Sequence, residues 1–178
     1  RRTILTGILL TQNGTPITLP SQDMVLGLYY ITKGRRTDSD QIVRGEGKAF
    51  YSNEEVIIAY NEGVIDMHAW IKVKVNIRNS DGLLEHKLIE TTVGRVIFNQ
   101  HVPAEVGFVN ALLTKKNLRE IIGDIIKITN VPKTAKFLDD IKTLGFRTAF
   151  QGGLSFSIND LIIPDVKEEL LANAKLEV

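Results

Sequence analysis

The sequence predicts an α+β fold, with N-terminal strands and an antiparallel hairpin followed by a helical C-terminal half. Three patterns carry that expectation. Residues Trp70 to Arg78 alternate without a break, Ile71, Val73, Val75 and Ile77 against Lys72, Lys74, Asn76 and Arg78, the mark of a half-buried strand with one wet face. Leu118, Ile121, Ile122, Ile125 and Ile126 fall at helical spacing and make one apolar stripe. Asn13-Gly14, set between apolar runs, is a strong hairpin turn.

Taken in chain order, Ile4 to Leu10 and Ile17 to Leu19 read as strands around that turn. Pro20-Ser21 stops the second strand, and Ser21 is placed to cap a helix from about Gln22 to Ile31, with Asp23 in its first turn where the helix dipole favours a carboxylate. Lys33 to Gly47 is charged and glycine-rich without apolar period, the composition of a solvated, mobile loop. Ser52 and Glu55 have capping-box spacing, with Val56, Ile57 and Tyr60 on one face of a helix closed by Gly63. After the strand from Trp70, Asn79-Ser80-Asp81-Gly82 turns the chain, and Glu85 to Phe98 supplies partner-strand material interrupted at Gly94.

From Glu105 onward the pattern is helical. Val106 to Leu113 reads as a short helix, and Thr114 caps a second from Lys115 to about Thr129. A third runs from about Pro132 to Leu144, with Gly145 just past its end. Gly152-Gly153 marks a turn, and Leu161 to Ile163 is a short extended piece ended by Pro164. A last helix starts at Asp165 with Val166, Leu170, Leu171 and Ala174 on one face, and it reads as if cut before its C-cap.

Composition narrows the function classes. The 178 residues are 43% hydrophobic and 24% charged, which is globular rather than disordered. Twenty-two Lys and Arg against 21 Asp and Glu leave a net charge of +1, so a nucleic-acid binder held by bulk charge alone is disfavoured. The absence of cysteine excludes disulfides, thiolate nucleophiles and Cys-based zinc sites. No apolar run nears the roughly 20 residues of a membrane span, and no cleavable signal sequence is recognisable at the N-terminus. A cytoplasmic chain is expected.

Several local motifs resemble catalytic signatures and fail on detail. Gly153-Leu154-Ser155-Phe156-Ser157 resembles a nucleophile turn, but its last glycine is a serine and no histidine follows it in the chain. Gly45-Glu46-Gly47-Lys48 lacks the first glycine and the Ser/Thr of a phosphate loop. His68, His86 and His101 stand on separate elements without ligand spacing and read as surface or edge-strand residues. Asp139-Asp140 are helix neighbours that point about 100° apart, a poor metal pair. Lys115, Lys116 and Arg119 form a small basic helix face, either simply solvated or in contact with phosphate.

A longer run of sequence has a family resemblance. Asn13-Gly14-Thr15-Pro16-Ile17-Thr18-Leu19-Pro20-Ser21-Gln22-Asp23-Met24-Val25-Leu26-Gly27-Leu28-Tyr29-Tyr30 resembles the stretch of the bacterial DNA-directed RNA polymerase β′ (largest) subunit that follows its catalytic aspartate loop. Gly45-Glu46-Gly47, Glu90-Thr91-Thr92-Val93-Gly94-Arg95, Thr114-Lys115-Lys116, Phe137-Leu138-Asp139-Asp140, Leu144-Gly145-Phe146 and Ser155 to Pro164 continue it in family order.

The resemblance implies an internal piece of that subunit, covering the pore region and the beginning of the funnel. Residues 1–31 would be the end of the catalytic barrel region and the helix after it, 32–104 a mixed pore region with antiparallel strands, 105–163 a helical pore region, and 164–178 the start of the funnel or rim helix. In that family the region walls the secondary channel, through which nucleoside triphosphates enter. Gln22 and Asp23 match a pair close to the active centre, with a structural cap as the alternative for Asp23. Lys115 and Lys116 match a basic pair, which implies channel electrostatics. Asp139 matches an aspartate that binds a guanosine tetraphosphate alarmone in some members, although Thr143 stands where they have tyrosine.

Two further departures are that Arg1 to Thr11 fits poorly and that Ser157 replaces a glycine. The resemblance implies no cofactor in this stretch, since the parent's catalytic magnesium is held by residues with no counterpart here, and no catalytic activity of the stretch alone. The implied partners are the β, α, ω and σ subunits, DNA and RNA, nucleoside triphosphates, and cleavage or secondary-channel factors, with no membrane. An autonomous nucleotide- or factor-binding module is the competing reading. A serine hydrolase at Ser155 is a remote third.

Overall fold

The computed structural model describes residues 19–38, 42–79, 82–155, 157, 166–167, 171 and 174–175. Among them stand a three-stranded sheet and five α-helices, in the order α1 (Asp23–Thr32), β1 (Ala49–Phe50), α2 (Asn53–Asn61), β2 (Trp70–Arg78), β3 (Leu84–Thr92), α3 (Val93–Asn99), a 3-10 turn (Ala104–Val106), α4 (Lys115–Ile128) and α5 (Val131–Gln151). The fold is α+β, as expected. The expected strand Ile4–Leu10, the Asn13-Gly14 turn and the extended piece Leu161–Ile163 lie outside the described residues. So does the strand Ile17–Leu19 except for Leu19, which is irregular. The last helix is described only at Val166, a turn residue, and at Lys167, Leu171, Ala174 and Lys175, which are helical.

β2 is central. It pairs antiparallel with β3 from Trp70 opposite Thr92 to Arg78 opposite Leu84, and parallel with the short β1 at Lys72 and Val73. Its alternation does what the pattern dictates: Ile71, Val73 and Val75 are buried while Lys72, Lys74, Asn76 and Arg78 are exposed. β3 is an edge strand, exposed along most of its length, and so carries little alternation.

Two cores meet at α3. Val56 of α2, Ile71, Val73 and Val75 of β2, and Val93 and Val96 of α3 pack under the sheet. Leu28, Phe98, Leu118, Ile122, Ile125, Phe137 and Ile141 pack among the helices, with the Phe98 and Phe137 rings edge-on at 6.1 Å. Each fully buried side chain of this size contributes about 1.5–3 kcal/mol over exposure.

Caps set most helix starts. Ser52, Thr92, Thr114 and Asn130 each accept a hydrogen bond from a first-turn backbone N–H of α2, α3, α4 and α5, worth about 1 kcal/mol apiece. Glu55 reaches back past the cap and accepts from Tyr51 N at 2.7 Å.

Several sequence expectations are corrected. Ser21 does not cap α1. The cap position is Gln22, without a side-chain bond and at φ 49°, ψ −123°. Val93 to Phe98 is helix, not strand, because Thr92 accepts from Arg95 N at 3.3 Å and starts a new helix. Val106 to Leu113 is not helical. Only the 3-10 turn forms before Gly107, at φ 83°, lets Phe108 N donate to Asn76 O at 2.8 Å. α5 does not stop at Leu144 but runs through Gly145 to Gln151.

Of the loop Lys33–Gly47, the described residues are irregular but tethered. Arg35 N donates to His68 O at 2.8 Å, Thr37 N to Glu46 Oε2 at 2.7 Å, and Gly47 N to Trp70 O at 2.7 Å. Val43 is buried in the sheet core. His68 is buried rather than at the surface, with Nδ1 at 2.8 Å from Lys33 O and its ring edge-on to Tyr30 at 4.6 Å.

Candidate functional site

Gln22 and Asp23 open α1 on the surface, both exposed. Their placement comes from the helix behind them. α1 crosses α5 backbone to backbone at Gly27 and Gly145, where a methyl group on Gly145 would stand 2.7 Å from Met24 O. The other end of α1 is pinned as well. A side chain on Gly94 of α3 would overlap Ile31 O, and the buried Thr32 hydroxyl donates to Leu28 O at 2.8 Å while accepting from Leu113 N at 3.0 Å. The first turn therefore sits on a rigid helix. Gln22 is the one non-glycine residue at positive φ among those described, a conformation costing about 1–3 kcal/mol that persists only where its surroundings impose it.

Lys115 and Lys116 occupy the first turn of α4 and are exposed. No acidic residue shares that turn, and no carboxylate among the described residues lies within ion-pair reach of Lys115, Lys116 or Arg119. Cations at the positive end of a helix oppose its dipole, at about 0.3–1 kcal/mol each. The result is a local positive potential that the net charge conceals.

Asp139 lies on α5 and pairs with Lys142 at 3.3 Å, both side chains about half exposed. Asp140 turns instead toward His101, Oδ2 at 3.9 Å from Nδ1. The adjacent carboxylates thus face different partners, as their angular offset requires. No hydrogen bond or ion pair joins the α1, α4 and α5 positions to one another among the described residues. They are three surface positions rather than one pocket. No three His, Asp or Glu side chains converge as a metal-ligand set among the described residues.

A denser cluster went unrecognised in the sequence. Arg95 of α3 and Arg36 stack on the Trp70 ring at 5.1 and 5.3 Å. Arg95 donates from Nε to Thr32 O at 3.2 Å and from Nη1 to Asn110 Oδ1 at 2.7 Å, while Arg36 pairs with Glu90 at 3.0 Å. Burial lowers the Arg95 pKa. Arg44 clamps Asp66 through its backbone N–H and guanidinium. Burial would raise the Asp66 pKa, but these bonds and the adjacent charge lower it. The signal for the first cluster was Arg95 at the third position after the cap Thr92, legible only once that segment is known to be a helix.

Comparison with known proteins gives the family. The family model described as RNA polymerase Rpb1, domain 3 matches residues 7–161. A protein named DNA-directed RNA polymerase subunit beta' from Flavobacterium psychrophilum is 52% identical over 171 residues, 96% of this chain. Proteins of the same name from Flavobacterium johnsoniae and Karelsulcia muelleri are 53% and 56% identical over 96% and 94% of the chain. The chain spans about 12% of the length of the two Flavobacterium relatives and 11% of the third. With the family model covering most of its length, the chain belongs to the RNA polymerase Rpb1 domain 3 family.

Proposed function

We propose that this chain acts as part of a DNA-directed RNA polymerase β′ subunit, where it forms a stretch of wall along the secondary channel by which nucleoside triphosphates reach the active centre. The observation that carries the channel reading is the cationic first turn of α4, where Lys115 and Lys116 meet no carboxylate among the described residues, on a chain whose relatives bear the polymerase name. A surface potential of that sign raises the local concentration of triphosphate anions and speeds their encounter with a site further along. The exposed start of α1, with Gln22 and Asp23 held by the glycine crossing, is the rigid edge that would face the active centre.

The chain's role in this reading is positioning and steering. The polymerase's other subunits, the nucleic acids and the secondary-channel factors belong to the same proposal, and so does an alarmone contact at Asp139.

The test is steady-state nucleotide incorporation by the complete polymerase carrying Lys115→Gln and Lys116→Gln. A raised KM for nucleoside triphosphate with little change in kcat, shrinking as salt is added, is the expected result. An unchanged KM at low salt would remove these lysines from the channel. Calorimetry of the chain alone with a magnesium-free triphosphate and with guanosine tetraphosphate separates the competing reading. Micromolar, saturable binding would make it an autonomous nucleotide-binding module.

A further inference from the structure

The solvent face of the β2–β3 hairpin carries a row of cations, Lys72, Lys74 and Arg78, that no ion pair among the described residues neutralises. Lys72, Lys74, Asn76 and Arg78 face solvent on β2, opposite Glu90, Leu88, His86 and Leu84 on β3. Same-face neighbours on a strand are about 6.6 Å apart, so the charges form a line. No carboxylate among the described residues lies within ion-pair distance of Lys72, Lys74 or Arg78. Glu90, opposite Lys72, pairs with Arg36 at 3.0 Å, Glu105 pairs with Lys133, and Glu54 lines the same pocket as Lys74 without an ion pair to it among the described residues. Arg78 donates to Glu105 O at 2.8 Å, a neutral carbonyl.

Two further features share this region. A cavity of about 360 Å³ is lined by Tyr51, Asn53, Glu54, Lys74, Asn76 and His86, and the buried Asn53 Oδ1 has no hydrogen-bond partner among the described residues. Leu84 and Leu88 are 45% and 61% exposed beside the cations, where they gain nothing from water.

We propose that this face docks an extended acidic segment of a partner protein, whose carboxylates lie along Lys72, Lys74 and Arg78 and whose intervening apolar side chains cover Leu84 and Leu88. Charge complementarity asks for an anion, and the leucines ask for an anion with apolar side chains. A nucleic-acid strand fits less well. Binding of single strands draws on free aromatic faces for base stacking, whereas Trp70 is already stacked by Arg36 and Arg95, which leaves on this face Tyr51, 77% exposed with the Lys74 ammonium 5.2 Å from its ring. Nothing in this proposal depends on the channel reading.

Trp70 is the sole tryptophan of the chain and stands at the end of the row, so its fluorescence reports on the face directly. The chain is titrated at low salt with a synthetic peptide alternating Glu and Leu, with the same peptide carrying Gln for Glu, and with a thymidine oligonucleotide. The Glu peptide is expected to bind saturably and at least about tenfold more tightly than the Gln peptide. Lys72→Gln with Lys74→Gln is expected to weaken it about tenfold, two desolvated charge contacts summing to roughly one decade of affinity. Both side chains are exposed, so circular dichroism and melting should stay as in the parent chain. Leu88→Ser should weaken the Glu peptide independently. Equal binding of the Glu and Gln peptides, an unchanged affinity in the lysine variant, or no saturable binding would each overturn the proposal. Tighter binding of the oligonucleotide would overturn it in favour of a nucleic-acid face.

Discussion

Gly27 of α1 and Gly145 of α5 pack backbone against backbone, so closely that a methyl group on Gly27 would overlap the Gly145 carbonyl oxygen and stand 2.9 Å from Ala149 N. The contact fixes the crossing of two helices whose partly buried Val25 and Leu144 pack against the helical core. Gly27→Ala therefore forces the helices apart and is expected to cost about 2–3 kcal/mol. The matched control is Gly123→Ala in α4, where nothing lies within 4 Å of the new methyl group. That change removes a helix-interior glycine and should add about 0.5–1 kcal/mol. Urea unfolding of both variants checks the pair, and a Gly27→Ala as stable as the parent would show that the crossing is not that close.

At the start of α1, Gln22 holds a left-handed backbone that glycine adopts without penalty. Gln22→Gly is expected to leave α1 intact and raise stability by about 0.5–1 kcal/mol, the relieved strain being offset in part by the freedom glycine gains when unfolded. In the complete polymerase the same variant should lower nucleotide incorporation if the side chain faces the active centre. A melting temperature that falls instead would mean that the Gln22 side chain itself holds the turn.

How far the sequence revealed this fold depended on whether the deciding contact was local. β2 was legible because its alternation and its burial are the same fact, and α2 and α4 because Ser52 and Thr114 bond to N–H groups three residues away. Gly145 was misleading. A glycine after an apolar stripe reads as a helix end, and only its distant partner Gly27 makes it a packing residue in mid-helix. The segment after Thr92 looked like a continuing strand because Val93, Val96 and Ile97 favour β structure locally, yet burial against both cores and the Thr92 cap win. Of the candidate positions, the Lys115-Lys116 face and the divergent Asp139-Asp140 pair could be read from helical periodicity. The Trp70–Arg36–Arg95 stack could not, since it joins three elements.

His68 makes stability depend on pH. Its burial, together with the Arg35 and Lys33 charges, lowers its pKa below the ordinary value of 6.5, against the opposing effects of the Lys33 carbonyl and Asp66. The folded state keeps the ring neutral, with Nδ1–H donating to Lys33 O, while the unfolded chain takes a proton near pH 6.5. The unfolded state then binds more protons, so the His68 contribution is complete above that pH and is lost as pH falls through it, by at most about 1.4 kcal/mol per pH unit. Asp66, whose pKa is lowered below 3.8, loses its contribution only at much lower pH. Urea midpoints between pH 7.5 and 5.5 should fall for the parent chain and stay nearly level for His68→Gln. Parallel slopes would assign the effect to other groups.

Thr32 links α1 to the segment before α4 through one buried hydroxyl, which donates to Leu28 O and accepts from Leu113 N. Thr32→Val keeps the shape but leaves the Leu113 N–H without its acceptor in a dry site, a loss of about 1–3 kcal/mol. Thr32→Ser keeps the bonds and removes one methyl group, so it should cost about 1 kcal/mol. Thermal unfolding of the two orders the contributions, and a Thr32→Ser less stable than Thr32→Val would make packing the larger one.

The steering role proposed for Lys115 and Lys116 would set fold stability against function. Both sit at the positive end of the α4 dipole with no carboxylate within ion-pair reach among the described residues, so replacing either by Gln should stabilise the chain by about 0.3–1 kcal/mol. In the complete polymerase the same double change should raise the KM for nucleoside triphosphate, and the difference from the parent enzyme should shrink as ionic strength rises and the Debye length falls to about 8 Å or less. A solvated helix face without function predicts the first effect and not the second. Stabilisation with an unchanged KM at low salt would leave these lysines as surface charges only. Stabilisation with a salt-sensitive rise in KM would show that helix stability is sacrificed here for a local field acting on an anionic substrate.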